Sequence, residues 1–210
     1  LLAQGRAQAR EGTVRVTSSD MMSACILPDI LVRLRSMAPR LRVDVIAAND
    51  IRDILKREAD IAIRHVRPTE PDLIARRIGD HHAHLYAAKS YVAARGAPDT
   101  LDDLWNHDVV SMGDDARMVE AMAERGLRIN PANMRTGSNS GITTWELMRK
   151  GFGLFPMSDQ IAVQYDDVVP VLADVTNLSF PVWLVTHREL HTSRRIRLVF
   201  DLLADMLSDG

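Results

Sequence analysis

The sequence predicts a doubly wound α/β fold. Three observations carry that expectation: a strand–helix–strand–helix–strand run from Val14 to Arg64, a second strand–polar turn–helix unit near Gly137, and a composition that is 46% hydrophobic over 210 residues, enough to bury a sizeable core. Thr13-Val14-Arg15-Val16-Thr17 alternates and is β-branched, the pattern of a half-buried strand. It breaks into Ser18-Ser19-Asp20. Met22, Ile26, Ile30, Leu34 and Met37 then recur at helical spacing and predict a helix over 22–37. Leu41–Ile46 reads as the second strand, a short helix follows, and Ala59–Arg64 is the third strand. In doubly wound sheets ligands collect where strand C-termini meet helix N-termini, and the Ser-Ser-Asp turn occupies such a place. Its hydroxyls and the N–H groups of the following helix predict a donor-rich cup for an anion or a polar small molecule.

The later elements obey the same rules. His82–Ala87 alternates as a strand and leads into a short helix from Ser90. Pro98–Leu104 reads as a turn and a capped helical segment, with Thr100 as N-cap and Asp103 three residues on. Val109–Ser111 is a strand, and the helix over 116–125 is stopped by Gly126. Met134–Thr136 is a strand that ends in Gly137-Ser138-Asn139-Ser140-Gly141, followed by a helix over 142–150 and a second stopping glycine. Gly153–Phe155 is a buried strand, Val168–Leu172 a short one, Pro181–Thr186 another, and Ser193–Leu207 the final helix. The unit around Gly137 repeats the logic of the first: strand, Ser/Asn/Gly turn, helix.

Composition excludes several functions. A net charge of −2, with arginines scattered and only Lys56, Lys89 and Lys150 as lysines, argues against nucleic-acid binding by this chain itself. A single cysteine, Cys25, excludes an intramolecular disulfide and fits a reducing, cytoplasmic compartment. No apolar run approaches the roughly 20 residues of a membrane span. His81, His82 and His84 tempt a metal reading, but on a strand His82 and His84 share a face while His81 points away. No metal and no cofactor are expected. There is no Gly-x-Ser-x-Gly elbow, phosphate loop or His-Glu-x-x-His, so catalysis is not expected either.

Several pieces fall in a familiar order: Gly12-Thr13-Val14-Arg15-Val16, Ile26-Leu27-Pro28, Met37-Ala38-Pro39-Arg40-Leu41-Arg42-Val43, Ala59–Arg64, Leu73–Gly79 and Gly151-Phe152-Gly153-Leu154-Phe155-Pro156. Together they span about residues 12–207, and on them the chain resembles the effector-binding domain of LysR-type transcriptional regulators. The resemblance implies two Rossmann-like lobes joined by two crossover strands, type II periplasmic-binding-protein-like, with a ligand cleft between the lobes. By that analogy the crossings lie at His81–Ala87 and Pro181–His187. Residues 12–84 with 185–210 form lobe I, residues 85–184 form lobe II, and residues 1–11 end a linker helix. The family's other half, an N-terminal winged helix-turn-helix, is expected to precede this fragment and to carry the DNA contacts. A homodimer or homotetramer is implied as well.

Each candidate effector contact has a plainer reading beside it. Ser18, Ser19 and Asp20 line the first cup or simply cap a helix. Counting back from Pro28, Met21 stands where relatives usually carry Thr or Ser, which adds an apolar wall and disfavours a purely carboxylate ligand. Asn49 and Asp50 follow the second strand, as ligand contacts or as an ordinary turn pair. Arg64 suits a carboxylate by bidentate donation, or pairs with Glu58 or Asp60; His65 follows it. Ser138, Asn139 and Ser140 form the matching second cup, with Asn139 where relatives contact effector. Phe155 either reaches the pocket or, as is usual for a buried phenylalanine, packs in the core. The expected ligand is a small organic effector with one strongly polar or anionic end, a zwitterion being the compromise that Asp20 and Asp50 suggest. The rival readings are a solute-binding protein of a transporter and an enzyme on similar lobes, such as a phosphoribosyltransferase or an aromatic-biosynthesis dehydratase.

Overall fold

The computed structural model describes residues 11–49, 59–176 and 178–208. In chain order these form β1 (Glu11–Ser18), α1 (Asp20–Cys25), α2 (Leu27–Met37), β2 (Arg40–Ala47), β3 (Ile61–Arg64), β4 (Leu73–Ala88) and α3 (Lys89–Arg95). They continue with β5 (Val110–Met112), α4 (Asp115–Ala123), β6 (Thr136–Ser138), α5 (Gly141–Arg149), β7 (Phe155–Ser158), α6 (Asp159–Ala162), β8 (Val168–Val171), β9 (Leu178–His187) and α7 (Arg194–Leu207). The chain divides into two compact units, one running to Asp80 and resuming at Phe180, the other spanning His81–Ser179. The divisions fall inside β4 and β9, a few residues before 84–85 and 184–185.

The first unit is the βαβ run the alternation predicts. β1 pairs in parallel with β2 along its whole length, from Glu11↔Arg40 to Ser18↔Ala47, and with β3 at Val16↔Ile61 and Thr17↔Ala62. β9 joins β3 antiparallel, Ile61↔Thr186 to Arg64↔Trp183, and the sheet order is β2-β1-β3-β9-β4. Val14 and Val16 are buried while Thr13 and Arg15 stay exposed, as period-two alternation requires. α2 and α7 pack on each other, and α7 also reaches β1. The core is filled from α2 by Leu27, Ile30 and Leu34, and from α7 by Ile196, Val199, Phe200, Leu203 and Leu207, one apolar stripe on each helix.

The structure corrects two of the expected elements in this part of the chain. The helix expected over 22–37 is two helices with a break at Ile26 (φ −119°, ψ −50°). Pro28 is the cause: it has no N–H for the carbonyl of Ala24, and its ring crowds that carbonyl, so it opens a new helix instead of continuing the old one. The strand expected from residue 82 begins at Leu73. The charged stretch Arg76-Arg77 and Asp80 hid it; Arg77 and Asp80 pair at 2.6 Å on an exposed part of the strand.

In the second unit β4 pairs antiparallel with β7, Ala83↔Ser158 to Tyr86↔Phe155, and with β8, Leu85↔Val171 to Ala88↔Val168. β5 and β6 run parallel, Val110↔Thr136 to Met112↔Ser138, and Val109 bridges Leu154. The buried strand expected over 153–155 therefore starts later, at Phe155, with Leu154 serving β5 instead. Trp145, Met148, Leu85, Leu104, Leu127 and Leu154 fill the core. Half of the Thr100 capping box forms: Asp103 accepts the Thr100 backbone N–H at 2.8 Å, while the Thr100 hydroxyl also donates to that carboxylate at 2.8 Å instead of capping, and the helical segment is a 3₁₀ turn over Asp102–Asn106.

Candidate functional site

The first cup closes at the C-terminal end of β1. Ser18 is fully buried, its hydroxyl 2.6 Å from that of Ser23. Ser19 caps α1, its Oγ accepting the Met22 N–H at 3.3 Å. The Asp20 carboxylate accepts the Met21 N–H at 2.8 Å, and the Asp20 N–H donates to Asn49 Oδ1 at 3.2 Å. Because β1 and β2 are parallel neighbours, the turn after one meets the residue that comes after the other. Ser18, Ser19, Asp20 and Asn49 are thus brought together; Asp50 lies outside the described residues.

The expectation of open N–H donors here needs correction. Side chains of the cup already accept the N–H groups of Asp20, Met21 and Met22, so the cup presents a carboxylate where an anion would otherwise sit. Met21 is 7% exposed and packs within the unit.

Arg64 is also buried, at 8% exposure, and its Nη1 donates to the Ile63 carbonyl at 3.2 Å. Asp60, offered as its partner, instead accepts the Arg15 N–H at 2.8 Å, and Glu58 lies outside the described residues. His65 Nδ1 lies 3.2 Å from the Pro181 carbonyl oxygen, and its ring stands edge-on to Phe180 at 4.6 Å. Both contacts tie the end of β3 to β9.

The second cup comes after β6. The Ser140 N–H donates to Ser138 Oγ at 3.1 Å, and Ser140 Oγ accepts the Thr143 N–H at 3.2 Å, capping α5. Asn139 lies between these two serines. The approach of β5 is so close that a Cβ on Gly137 would stand 2.7 Å from Ser111 Cβ and from the Ser111 carbonyl oxygen, which only glycine permits. Phe155 is buried on β7 beside Tyr86 of β4.

One polar cluster escaped the sequence reading. Asp159, the first residue of α6, accepts from the Tyr86 hydroxyl at 2.7 Å and holds His84 Nδ1 at 2.8 Å. Burial, and then the carboxylate beside it, push the Tyr86 hydroxyl well above the ordinary tyrosine range, so it serves as a donor and not as a base. His84 and Tyr86 do share a strand face in the sequence, but nothing local points to a carboxylate so far along the chain. His81 is buried and His82 exposed, and among the described residues no three His, Cys, Asp or Glu side chains are grouped to hold a metal ion. No helix among them is long and apolar enough to cross a membrane.

The family model described as LysR substrate binding domain matches residues 7–208. The transcriptional regulator CrgA of Neisseria meningitidis serogroup C is 22% identical over 206 residues, which cover 95% of this chain and 69% of that protein. The solved CrgA regulatory domain from Neisseria meningitidis superposes with a TM-score of 0.83 at 20% identity, covering 94% of this chain and 99% of that one. Full-length AphB, a Vibrio cholerae virulence activator, gives a TM-score of 0.73 at 17% identity, covering 97% of this chain and 72% of that one. The α/β, type II periplasmic-binding-protein-like fold expected from the sequence is the fold of these relatives.

Proposed function

We propose, because this chain belongs to the LysR substrate binding domain family and is the effector-binding domain of a LysR-type transcriptional regulator, that its serine-bearing cups carry the polar contacts to a small organic effector. The observation that carries the reading is the repetition of one device: in each unit a strand ends in a serine-bearing turn that caps the next helix, the place where α/β folds take ligands. The contacts proposed are Ser19, Asp20 and Asn49 in the first cup, over the buried Ser18, and Ser138, Asn139 and Ser140 in the second. Met21, Arg64, His65 and Phe155 shape the surroundings.

The carboxylate of Asp20 favours a donor, an ammonium or hydroxyl group, at the first cup. α5 is longer than α1, with nine residues against six, and the second cup at its N-terminus suits the anionic end. A zwitterion meets both demands. Binding energy that differs between conformations of the domain would pass to an N-terminal DNA-binding domain, the part through which LysR-type regulators contact DNA. That role places the protein in the cytoplasm and assigns it no catalysis, and the family favours it over transport or an enzyme on similar lobes.

The test is to find a ligand by thermal-shift screening and measure its affinity by calorimetry for Ser19→Ala, Ser138→Ala and Asn139→Ala. We expect losses of about 1 kcal/mol or more from variants in both cups, the worth of a hydrogen bond to a polar or charged group. Unchanged affinity in all three folded variants would place the ligand elsewhere.

Self-association is part of the same proposal. α2 buries Leu27, Ile30 and Leu34 but leaves Val32 62% and Met37 42% exposed, and Val45 on the adjoining β2 is 37% exposed. A second copy of this chain is the occupant proposed for these exposed apolar side chains, giving a homodimer on which a homotetramer can be built. Light scattering at about 100 μM should report a dimer, since interfaces of standard size bind more tightly than that. A monomer there would remove the dimer from this reading.

A further inference from the structure

A groove of about 450 Å³ opens on the first unit, lined by Thr13, Arg15, Arg42, Asp44, Asp60 and Arg195. The β1–β2 register explains the assembly: Thr13 stands beside Arg42 and Arg15 beside Asp44, with all four side chains on one sheet face. Asp60 is drawn in by a reciprocal pair of bonds, its carboxylate accepting the Arg15 N–H at 2.8 Å and its own N–H donating to the Arg15 carbonyl at 2.9 Å. Arg195 arrives from α7 and lies against Gly12 (φ +97°), where a Cβ would come within 3.3 Å of its guanidinium. The groove is separate from the first cup: Arg15 precedes Ser18 by three residues, about 10 Å along the strand.

The charges in the groove are unevenly matched. Arg42 donates to the Asp44 carboxylate at 2.7 Å, so those two neutralise one another. Among the described residues, the guanidinium groups of Arg15 and Arg195 make no hydrogen bond or ion pair, leaving two cations facing the single carboxylate of Asp60.

α7 makes the imbalance sharper. It opens Arg194-Arg195-Ile196-Arg197, with no acidic residue in its first turn and no side-chain cap from Ser193. A helix N-terminus already carries partial positive charge, and cations placed there are opposed by it. A sequence free to optimise stability would put Asp or Glu at these positions. Arginine there, aimed into a groove that holds a second arginine, is what an oxyanion needs.

We infer that this groove is a second ligand site, taking a small oxyanion, a phosphate or carboxylate group, between Arg15 and Arg195. The guanidinium groups supply paired donors in fixed planes, suited to oxyanions. Thr13 adds a hydroxyl at the edge. The volume exceeds that of a bare oxyanion, and Asp60 and Asp44 stand ready to accept hydroxyl groups from the rest of the ligand. A hydroxylated body carrying one anionic group fits both halves of the groove.

Thermal melting in phosphate, in succinate and in chloride, all at one ionic strength, tests the inference and separates the two oxyanion chemistries. The wild-type chain should melt roughly 3 °C or more higher in one or both oxyanions than in chloride, a shift on the order of 1 kcal/mol for a domain of this size. Arg195→Gln should lose that rise. It should also be no less stable than wild type in chloride, since it removes a cation from a positive helix end. Arg15→Gln should behave alike, and Ser19→Ala should keep the full rise. An equal rise in wild type and both arginine variants would be the general salting effect of phosphate and would overturn the site. So would the lack of any rise in the wild type. A marked loss of stability of Arg195→Gln in chloride would show instead that the guanidinium is structural.

Discussion

Replacing Gly153 with alanine is expected to destabilise the protein by about 3 kcal/mol or more, from backbone strain together with overpacking. The glycine has φ +152°, and an ideal Cβ on it would stand 2.5 Å from the Asp108 carbonyl oxygen, 2.6 Å from its carbon and 2.9 Å from the Val109 nitrogen. All three atoms are backbone, so no side chain can rotate away. They are also bonded into the structure: the Leu154 N–H donates to Asp108 O at 2.8 Å, and the Val109 N–H donates to the Asn133 carbonyl at 3.2 Å. A methyl group at Gly153 therefore prises apart the junction between the β5 region and the approach to β7. Thermal melting should show a Tm about 6 °C or more below wild type. A variant within about 1 °C of wild type would mean that the approach of the two backbones is looser than described.

Trp145→Ala is the second large effect, with an expected loss of about 3–5 kcal/mol by urea denaturation, the usual range for truncating a buried aromatic. Trp145 is 1% exposed and meets Tyr86 edge-on at 6.0 Å and Tyr165 at 5.6 Å. It projects from α5, whose N-cap is Ser140. Effector affinity should therefore fall with stability, because the helix that presents the second cup loses its anchor. Trp145→Phe keeps most of the apolar volume and should be milder on both counts. A loss below about 1 kcal/mol for the alanine variant would contradict the packing.

Much of the fold was legible because it is written locally. Val14 and Val16 alternate with Thr13 and Arg15; Ile30 and Leu34 repeat at helical spacing; Gly126 and Gly151 stop helices with positive φ. What was not legible is set by contacts between distant positions. The first half of β4 carries adjacent arginines on an exposed stretch, so no apolar period marks it. The break at Ile26 was masked because apolar spacing runs unbroken through Pro28, and the proline's effect on the carbonyl four residues earlier outweighs that spacing.

The candidate site divides in the same way. Ser19 and Ser140 were legible as strand-end residues, since a cap and its helix are neighbours in sequence. That Asn49 accepts the Asp20 N–H depends on strand pairing, and that Asp159 holds both His84 and Tyr86 depends on the approach of α6 to β4. Arg195 joins Arg15 only once α7 has packed on β1, and no periodicity within either segment announces it.

The place of β9 in its sheet has a consequence for biosynthesis. The strand order β1-β3-β9-β4 puts a late segment of the chain between two early ones. During translation the second unit, whose residues His81–Ser179 are continuous, leaves the ribosome complete while the first still lacks a middle strand and the helix that covers its core. Until Phe180 and the residues after it emerge, β3 and β4 present bare edges to any passing strand, the state in which wrong pairings form. The nascent chain thus finishes first the part it began second.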